Sequence, residues 1–479
     1  MMLADHKTKI VCTIGPSSSS EEVLRALILR GMNVARLNFS HGELCDHREI
    51  VYRIRNIASE MGKTVAILVD LPGPKIRVGK LAKEPLLLQQ GDTVVFTTST
   101  ESSDESFIPI DYPKLTESIS PGSLIYINDG FLQLECLEIT EKHVKCKVIV
   151  GGELTSQKGV NLPGSSVFLE PVTEKDLKMI DFALDEGLDC FSISFIESAD
   201  DIRKVREYAA SKGKQVFLVA KIEREKAVQN IDGILLEADA IMIARGDLGV
   251  EIPIEDVPIV QKKIIHKANL RSVPVITATQ MLESMTSNIR PTRAEATDVA
   301  NAIIDGTDAV MLSAETAVGK YPLNTVEMMA KIAKQTEKWR STSKTGIYQM
   351  KKAMSKMQLQ IDDIISLQIN EALQQLPIEY VLIPTASGET CRRISRFRPD
   401  TWIIGFSRYP NTCNSLAFQY GVHPIFVEGK VTDWEHTAFE KLKQNGLYVP
   451  GELIIITQGQ TAGHGKKGGT NLLKFIRME

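Results

Sequence analysis

Residues Ile67–Gly79 read ILVDLPGPKIRVG. The segment starts as an apolar, β-branched run, passes Asp70, turns at Pro72-Gly73-Pro74 and then presents Lys75 and Arg77. Upstream, two similar runs, TKIVCTIG and NVARLNFS, are separated by amphipathic sequence, which is the βα rhythm of a parallel sheet. Downstream the rhythm stops. GDTVVFTTST, GSLIYINDGFLQLECLEI and KHVKCKVIV follow with hairpin-like alternation and no helical period. A loop of that length without its own fold does not belong in a compact domain. Residues 72–160 are therefore predicted to be an inserted all-β domain, a β-barrel lid, and Ile67–Gly79 is where the chain leaves its host.

The rhythm then resumes through DCFSISFI, QVFLVAKIE, AIMIARGDL, VPVITATQ and AVMLSAET, giving eight candidate strands. Helices are predicted over Ser20–Arg30, Asp46–Met61, Glu174–Glu186 and Thr292–Asp305. Eight βα units specify an α/β fold, a (β/α)8 TIM barrel built from residues 1–71 and 161–344. From residue 345 to 479, YVLIPT, WIIGFS, PIFV and ELIIIT alternate with helical sequence, which predicts a smaller C-terminal α/β domain.

The composition fits an ordinary globular chain: 479 residues, 43% hydrophobic and 24% charged. With 56 basic against 60 acidic residues, the net charge of -4 gives no general attraction to nucleic acid or membrane. No apolar run approaches the roughly 18 residues of a membrane span. The seven cysteines never form CxxC, which points to reduced thiols, and Met1–Gly15 lacks a signal-like apolar core. A cytoplasmic protein is expected.

In such a barrel the chemistry gathers at the C-terminal ends of the strands. There the sequence places Arg36, Asn38, Ser40 and His41, then Asp70, Lys221 with Glu223, Arg245 with Asp247, Thr279 and Glu315. Glu223 and Asp247 suit Mg²⁺ or Mn²⁺, which takes a few carboxylates plus substrate oxygens and water. Arg36, Arg77 and Lys221 suit phosphate oxygens, and phosphoryl transfer needs chiefly positioning and charge neutralisation. ARGDLG is read as a tight turn whose glycines admit a small anion to the backbone. Each residue alone has a bland alternative: a solvated lysine, a surface carboxylate pair, a threonine satisfying backbone. Their convergence on one barrel face favours a site.

TKIVCTIGPSS, GMNVARLNFSHG, KGVNLPG, AKIE, MIARGDLGVEIP, ITATQMLESM and RPTRAEATDVANAIIDGTDAVMLSAETAVGKYP resemble the pyruvate kinase family, in that family's order. SGETCRRISRFRPD and GGTNLLK resemble its C-terminal domain, so the resemblance spans essentially the whole chain. It implies transfer of the phosphoryl group of phosphoenolpyruvate to ADP, giving pyruvate and ATP in the last step of glycolysis. It also implies roles: Glu223 and Asp247 as metal ligands, and Lys221 as the lysine that stabilises the phosphoryl group in flight. Arg36, Gly246, Asp247 and Thr279 match substrate-holding positions, with Lys221, Thr279 and Arg36 catalytic. Asn38, His41, Arg77 and Lys158 match positions near the nucleotide. Lid closure would exclude water.

Most members need K⁺, and the matching positions are Asn38, Ser40, Asp70 and Leu71. Two departures stand out. Leu71 replaces a threonine whose hydroxyl holds K⁺ in many members, and Lys75 replaces a glutamate. An ammonium is a compact unit charge with three donors. Lys75, partnered by Asp70, is expected to stand in for K⁺, making K⁺ unnecessary. A solvated hinge lysine with K⁺ still bound is the alternative.

The family's C-terminal domain often holds an activating sugar phosphate. Matching positions for such a phosphorylated effector are Thr385, Ser387, Gly388, Thr390, Lys466 and Lys467, although Glu389 is a poor neighbour for an anion. The family also implies a homotetramer. Two rival functions stay open: a Mg²⁺-dependent barrel lyase or aldolase, which has no need of the lid or Lys158, and a metabolite-sensing scaffold, which would not need Lys221, Glu223 and Asp247.

Overall fold

The computed structural model describes residues 3–98, 104, 106–128, 130–165, 170–341, 345–356, 358–459 and 469–479. Eight strands close into a barrel: β1 (Lys9–Thr13), β2 (Met32–Asn38), β3 (Ala66–Asp70), β4 (Cys190–Ile193), β5 (Phe217–Ile222), β6 (Ala240–Ala244), β7 (Val275–Ala278) and β8 (Ala309–Leu312). Each pairs in parallel with its sequence neighbours, and β8 returns to β1 with Lys9 opposite Ala309. The helices begin where the sequence supplies caps. Ser20 accepts from Val23 N ahead of Glu21–Arg30, and Thr292 and Glu295 form a capping box ahead of Arg293–Asp305. Gly31 ends the first of these helices at φ +119°, a conformation that disfavours residues with a Cβ.

The two-residue side-chain period divides each strand between two cores. Val11, Val34, Leu68, Cys190, Val219, Met242 and Ile276 fill the barrel interior, whereas their neighbours Ile10, Ala35, Val69, Phe191, Leu218, Ile241 and Val275 pack against the helices. Two residues beyond an interior apolar side chain lies the next inward position, at the barrel's C-terminal mouth. Those positions are Thr13, Arg36, Asp70, Ser192 and Lys221. The fold thus converts a period of two into a ring of polar groups.

The insert has its own apolar core, with Phe96, Ile125, Leu134 and Val148 fully buried. A six-stranded sheet runs from Val160–Asn161 through Leu124–Ile127, Leu132–Ile139, His143–Val150 and Thr93–Thr97 to Phe107–Pro109. Its two edges are linked through the hinge segment itself, Arg77 bridging to Gly159 and Val78 to Ile110. The C-terminal domain holds a five-stranded sheet in the order Val422–Phe426, Trp402–Ser407, Ile378–Pro384, Leu453–Gly459, Thr470–Arg477, parallel except for the last pair. Its Phe418 enters the interior core at the N-terminal end of the barrel, stacking on Phe217 with centroids 5.0 Å apart.

No helix among the described residues is long and apolar enough to cross a membrane.

Candidate functional site

Arg36, Asp70, Lys221 and Glu223 converge at the mouth. Arg36 Nε donates to Asp70 Oδ2 at 3.1 Å, its Nη2 also reaches Oδ2, and its Nη1 donates to Thr13 Oγ1 at 2.8 Å. Ser192 Oγ donates to Asp70 Oδ1 at 2.5 Å. Lys221 Nζ lies 3.5 Å from Asp70 Oδ1 and 2.8 Å from Glu223 Oε1, and donates to Ser194 Oγ at 2.8 Å. Phe195 N donates to Glu223 Oε2 at 2.7 Å.

The electrostatics follow from this packing. Burial pushes the Asp70 carboxyl up, but Arg36, Lys221 and Ser192 more than offset it and hold its pKa at about 2. Burial pulls Lys221 down, yet Asp70 and Glu223 raise it above the ordinary ammonium value, so the charge is retained. Glu223, 1% exposed, is pushed up by burial and by Asp247, with Lys221 opposing.

The Asp70 shift has a measurable consequence. A carboxylate depressed from 3.8 to about 2 contributes stability above roughly pH 4 and loses it as pH falls through 2. The contribution is on the order of 2 kcal/mol. In urea titrations, Asp70→Asn is expected to be less stable than the parent at pH 6, with the gap shrinking below pH 4. A gap that does not change with pH would contradict the pairing.

Asp247 and Thr279 form a second group just beyond the C-terminal ends of the adjacent strands β6 and β7. Lys75 Nζ sits 3.4 Å from Asp247 Oδ1. Gly246 N donates to Thr279 Oγ1 at 2.8 Å, and Thr279 Oγ1 donates to Ala278 O at 2.6 Å. Lys75 therefore faces Asp247, not Asp70 as the sequence reading expects, because Arg36, Ser192 and Lys221 already surround Asp70. ARGDLG also differs from the expected glycine turn. Arg245–Glu251 is a helix starting straight from β6, its glycines are not in the left-handed region, and the Gly246 amide is already engaged by Thr279.

Other predicted positions divide. Asn38 pairs in register with Asp70, and its Oδ1 accepts from Ser40 N at 3.1 Å. The carbonyl of Leu71 accepts from Ser194 Oγ at 2.7 Å. His41 is exposed, and its carbonyl accepts from His47 Nε2. Arg77 and Lys158 adjoin each other on the lid: Arg77 Nη1 donates to Gln157 O, and the Lys158 carbonyl accepts from Val78 N. A cleft of about 220 Å³ separates lid from barrel, lined by Lys75, Asn161, Phe195, Arg224 and Glu251 among others.

Arg245 and Glu315 stay outside the cluster. Arg245 ties Asp298 to the Thr279 carbonyl, and Glu315 accepts from Ser313 N and Leu282 N. Gly388 N donates to Thr385 Oγ1, Glu389 N reaches Ser387 Oγ, and Thr390 pairs with Thr470. Lys466 and Lys467 lie outside the described residues. Sequence reading missed Thr13, Ser192 and Ser194. The signal was present: DCFSISFI carries serines at alternate, inward positions of an otherwise apolar strand.

Glu223 and Asp247 fit a divalent cation. Glu223 Oε1 is buried and faces the Lys221 ammonium at 2.8 Å. Among the described residues no cluster of three or more His, Cys, Asp or Glu could enclose a metal. Two carboxylates completed by ligand oxygens and water are what Mg²⁺ accepts.

A family model described as "Pyruvate kinase, barrel domain" matches residues 5–326, and one described as "Pyruvate kinase, alpha/beta domain" matches residues 363–476. The chain is 45% identical over 480 residues to a pyruvate kinase of Thermococcus litoralis, covering 100% of each. It is 42% identical over 474 residues to that of Geobacillus stearothermophilus, covering 98% of this chain and 80% of the relative. The crystal structure of a pyruvate kinase from Cryptosporidium parvum superposes with a TM-score of 0.90 at 36% identity, over 99% of this chain and 97% of that one.

Proposed function

This chain belongs to the pyruvate kinase family, and from that premise we propose that Arg36, Lys221, Glu223, Asp247 and Thr279 carry its reaction, phosphoryl transfer from phosphoenolpyruvate to ADP giving pyruvate and ATP. The observation that carries this assignment is the buried Lys221 ammonium, kept charged between Asp70 and Glu223 at the mouth of the barrel. A fixed charge in a water-poor site stabilises developing charge at no cost in reorganisation. Arg36, braced by Asp70 and Thr13, offers guanidinium hydrogens to phosphate oxygens without losing its orientation. Glu223 and Asp247 would hold Mg²⁺ or Mn²⁺, which would supply charge neutralisation for the phosphoryl group. Thr279, whose hydroxyl now turns toward the Ala278 carbonyl, provides a proton path toward the enolate by rotating. Arg77 and Lys158, side by side on the lid, serve the nucleotide phosphates, with Asn38 and His41 contributing from the barrel. Closing the lid removes water that would otherwise take the phosphoryl group.

We further propose that K⁺ is not required. Three features support this reading: Lys75 supplies a cation 3.4 Å from Asp247, Asp70 is surrounded by the chain's own donors, and the Leu71 carbonyl accepts from Ser194. The test is pyruvate formation from phosphoenolpyruvate and Mg·ADP in buffer free of K⁺, Na⁺ and NH₄⁺. The parent is expected to turn over fully. Lys75→Glu is expected to lose about 10²-fold in kcat there and to recover part of it when K⁺ is added. A parent silent until K⁺ arrives would discard the lysine argument alone. No pyruvate under either condition would discard the kinase assignment.

By the same membership we assign a homotetramer, cytoplasmic residence and a phosphorylated effector near Thr385, Ser387, Gly388 and Thr390. Seven free cysteines support the reducing compartment.

A further inference from the structure

We infer that Ser194 is a positioning residue for the phosphoryl transfer assigned above: its hydroxyl sets the direction of the Lys221 ammonium and ties that direction to the start of the lid hinge. The inference rests on the role given to Lys221 in that reading.

The ammonium needs such a guide. It ends a flexible four-carbon stem and carries three equivalent donors. Asp70 and Glu223 hold its charge, with Oδ1 at 3.5 Å and Oε1 at 2.8 Å from Nζ. Coulomb attraction follows distance and changes little as the ammonium turns about its Cε–Nζ bond. A hydrogen bond is directional. Lys221 Nζ donates to Ser194 Oγ at 2.8 Å, and one N–H fixed in this way fixes the other two.

The hydroxyl is itself held. A serine O–H rotates to suit its surroundings unless its proton is claimed. Here the proton goes to the Leu71 carbonyl at 2.7 Å, which leaves only lone pairs to face Lys221. That carbonyl is anchored in turn, because Leu71 N donates to Ser192 O at 3.0 Å. Ser194 is 2% exposed, so bulk water does not compete for either bond.

The same residue meets the hinge. Pro72, Gly73 and Pro74 follow Leu71, and Gly73 has φ +63°. A Cβ at Gly73 would stand 3.0 Å from Ser194 Cβ and 3.0 Å from Phe195 Cδ2, so the chain leaves for the lid directly against these two side chains. Phe195 has φ +56°, a left-handed conformation that is rare for a bulky residue, and its N–H is spent on Glu223 Oε2 at 2.7 Å. Strain of this kind persists only where the surroundings over-determine it, and it collects at functional sites. Two adjacent residues thus address Lys221 and Glu223 on one side and the hinge on the other. A shift of the hinge reaches the lysine through a single hydroxyl.

Steady-state kinetics on the full-length protein test this, with Ser194→Ala made alone and in the Lys221→Met background. Alone, it is expected to lower kcat about tenfold, with KM for phosphoenolpyruvate within about twofold of the parent, since Arg36 keeps its own braces, Asp70 and Thr13. In the Lys221→Met background it is expected to cost nothing further, because no ammonium is left to aim. A merely structural serine would cost the same factor in both. Should Ser194→Ala melt far below the parent, Ser194→Cys, which is similar in shape but a weak hydrogen-bonding group, takes its place in both backgrounds. A kcat within threefold of the parent, or equal losses in the two backgrounds, would overturn the inference and leave the role of Lys221 standing. A Lys221→Met variant that itself turns over within tenfold of the parent would overturn the reading on which the inference rests.

Discussion

Lys221→Met is expected to lower kcat for pyruvate formation by about 10³-fold, with KM for phosphoenolpyruvate changing much less. The magnitude is that of removing one preorganised charge from a transition state in a water-excluded site. The split between kcat and KM follows because Arg36 and Thr279 remain to hold the substrate, whereas the lysine acts most strongly once charge moves. The variant should fold. Asp70 keeps Arg36 and Ser192, and Glu223, already pushed toward its neutral form by burial, can take up a proton and still accept from Phe195 N. Steady-state kinetics beside a melting curve decide it. A variant within tenfold of the parent in kcat would remove Lys221 from the mechanism. A variant that melts far below the parent would mark the lysine as a structural counter-charge instead.

Phe418→Ala is expected to cost about 3–5 kcal/mol of stability while leaving kcat close to the parent value. The ring is 0% exposed and belongs to the same apolar core as Val11, Leu68, Val219 and Met242 inside the barrel. Truncating a buried phenylalanine removes its transfer energy and leaves a cavity that the rigid barrel cannot close. The catalytic groups stand at the other end of the strands, so the chemistry should not notice. Calorimetry of the variant should show a lower Tm, with the C-terminal domain separating from the barrel as its own transition. An unchanged Tm would mean that the stack on Phe217 and the surrounding core add nothing to the junction.

Much of the site was readable because barrel strands are short and regular. In NVARLNFS, TVAILVDL and QVFLVAKIE the polar residue falls at the C-terminal end of an apolar run, and the fold sends those ends to one mouth. Membership of Arg36, Asp70, Lys221 and Glu223 in one cluster therefore follows from strand order and a period of two. Helix starts were nearly as plain: those expected from Ser20 and Thr292 begin one residue later, with these two residues as their caps. Partner choice was not. Lys75 reaches Asp247, 172 positions away, only because the lid hinge lies over β6, and no local pattern encodes that approach. The glycines of ARGDLG misled because a glycine-rich segment is compatible with both a turn and a helix start, and packing against Thr279 selects the helix.

By itself, then, the sequence determined the eight βα units, the all-β insert after Asp70, the C-terminal α/β domain and the residue types at the strand ends. These depend on local periodicity and chain order, which a linear string carries in full. Only the tertiary structure decided that Asp70 is shared by Arg36, Ser192 and Lys221, that Phe418 plugs the barrel, and that Arg398 of the C-terminal domain pairs with Asp308 of the barrel. Those are contacts between distant segments, set by how closed surfaces meet and by which charges burial forces to find partners.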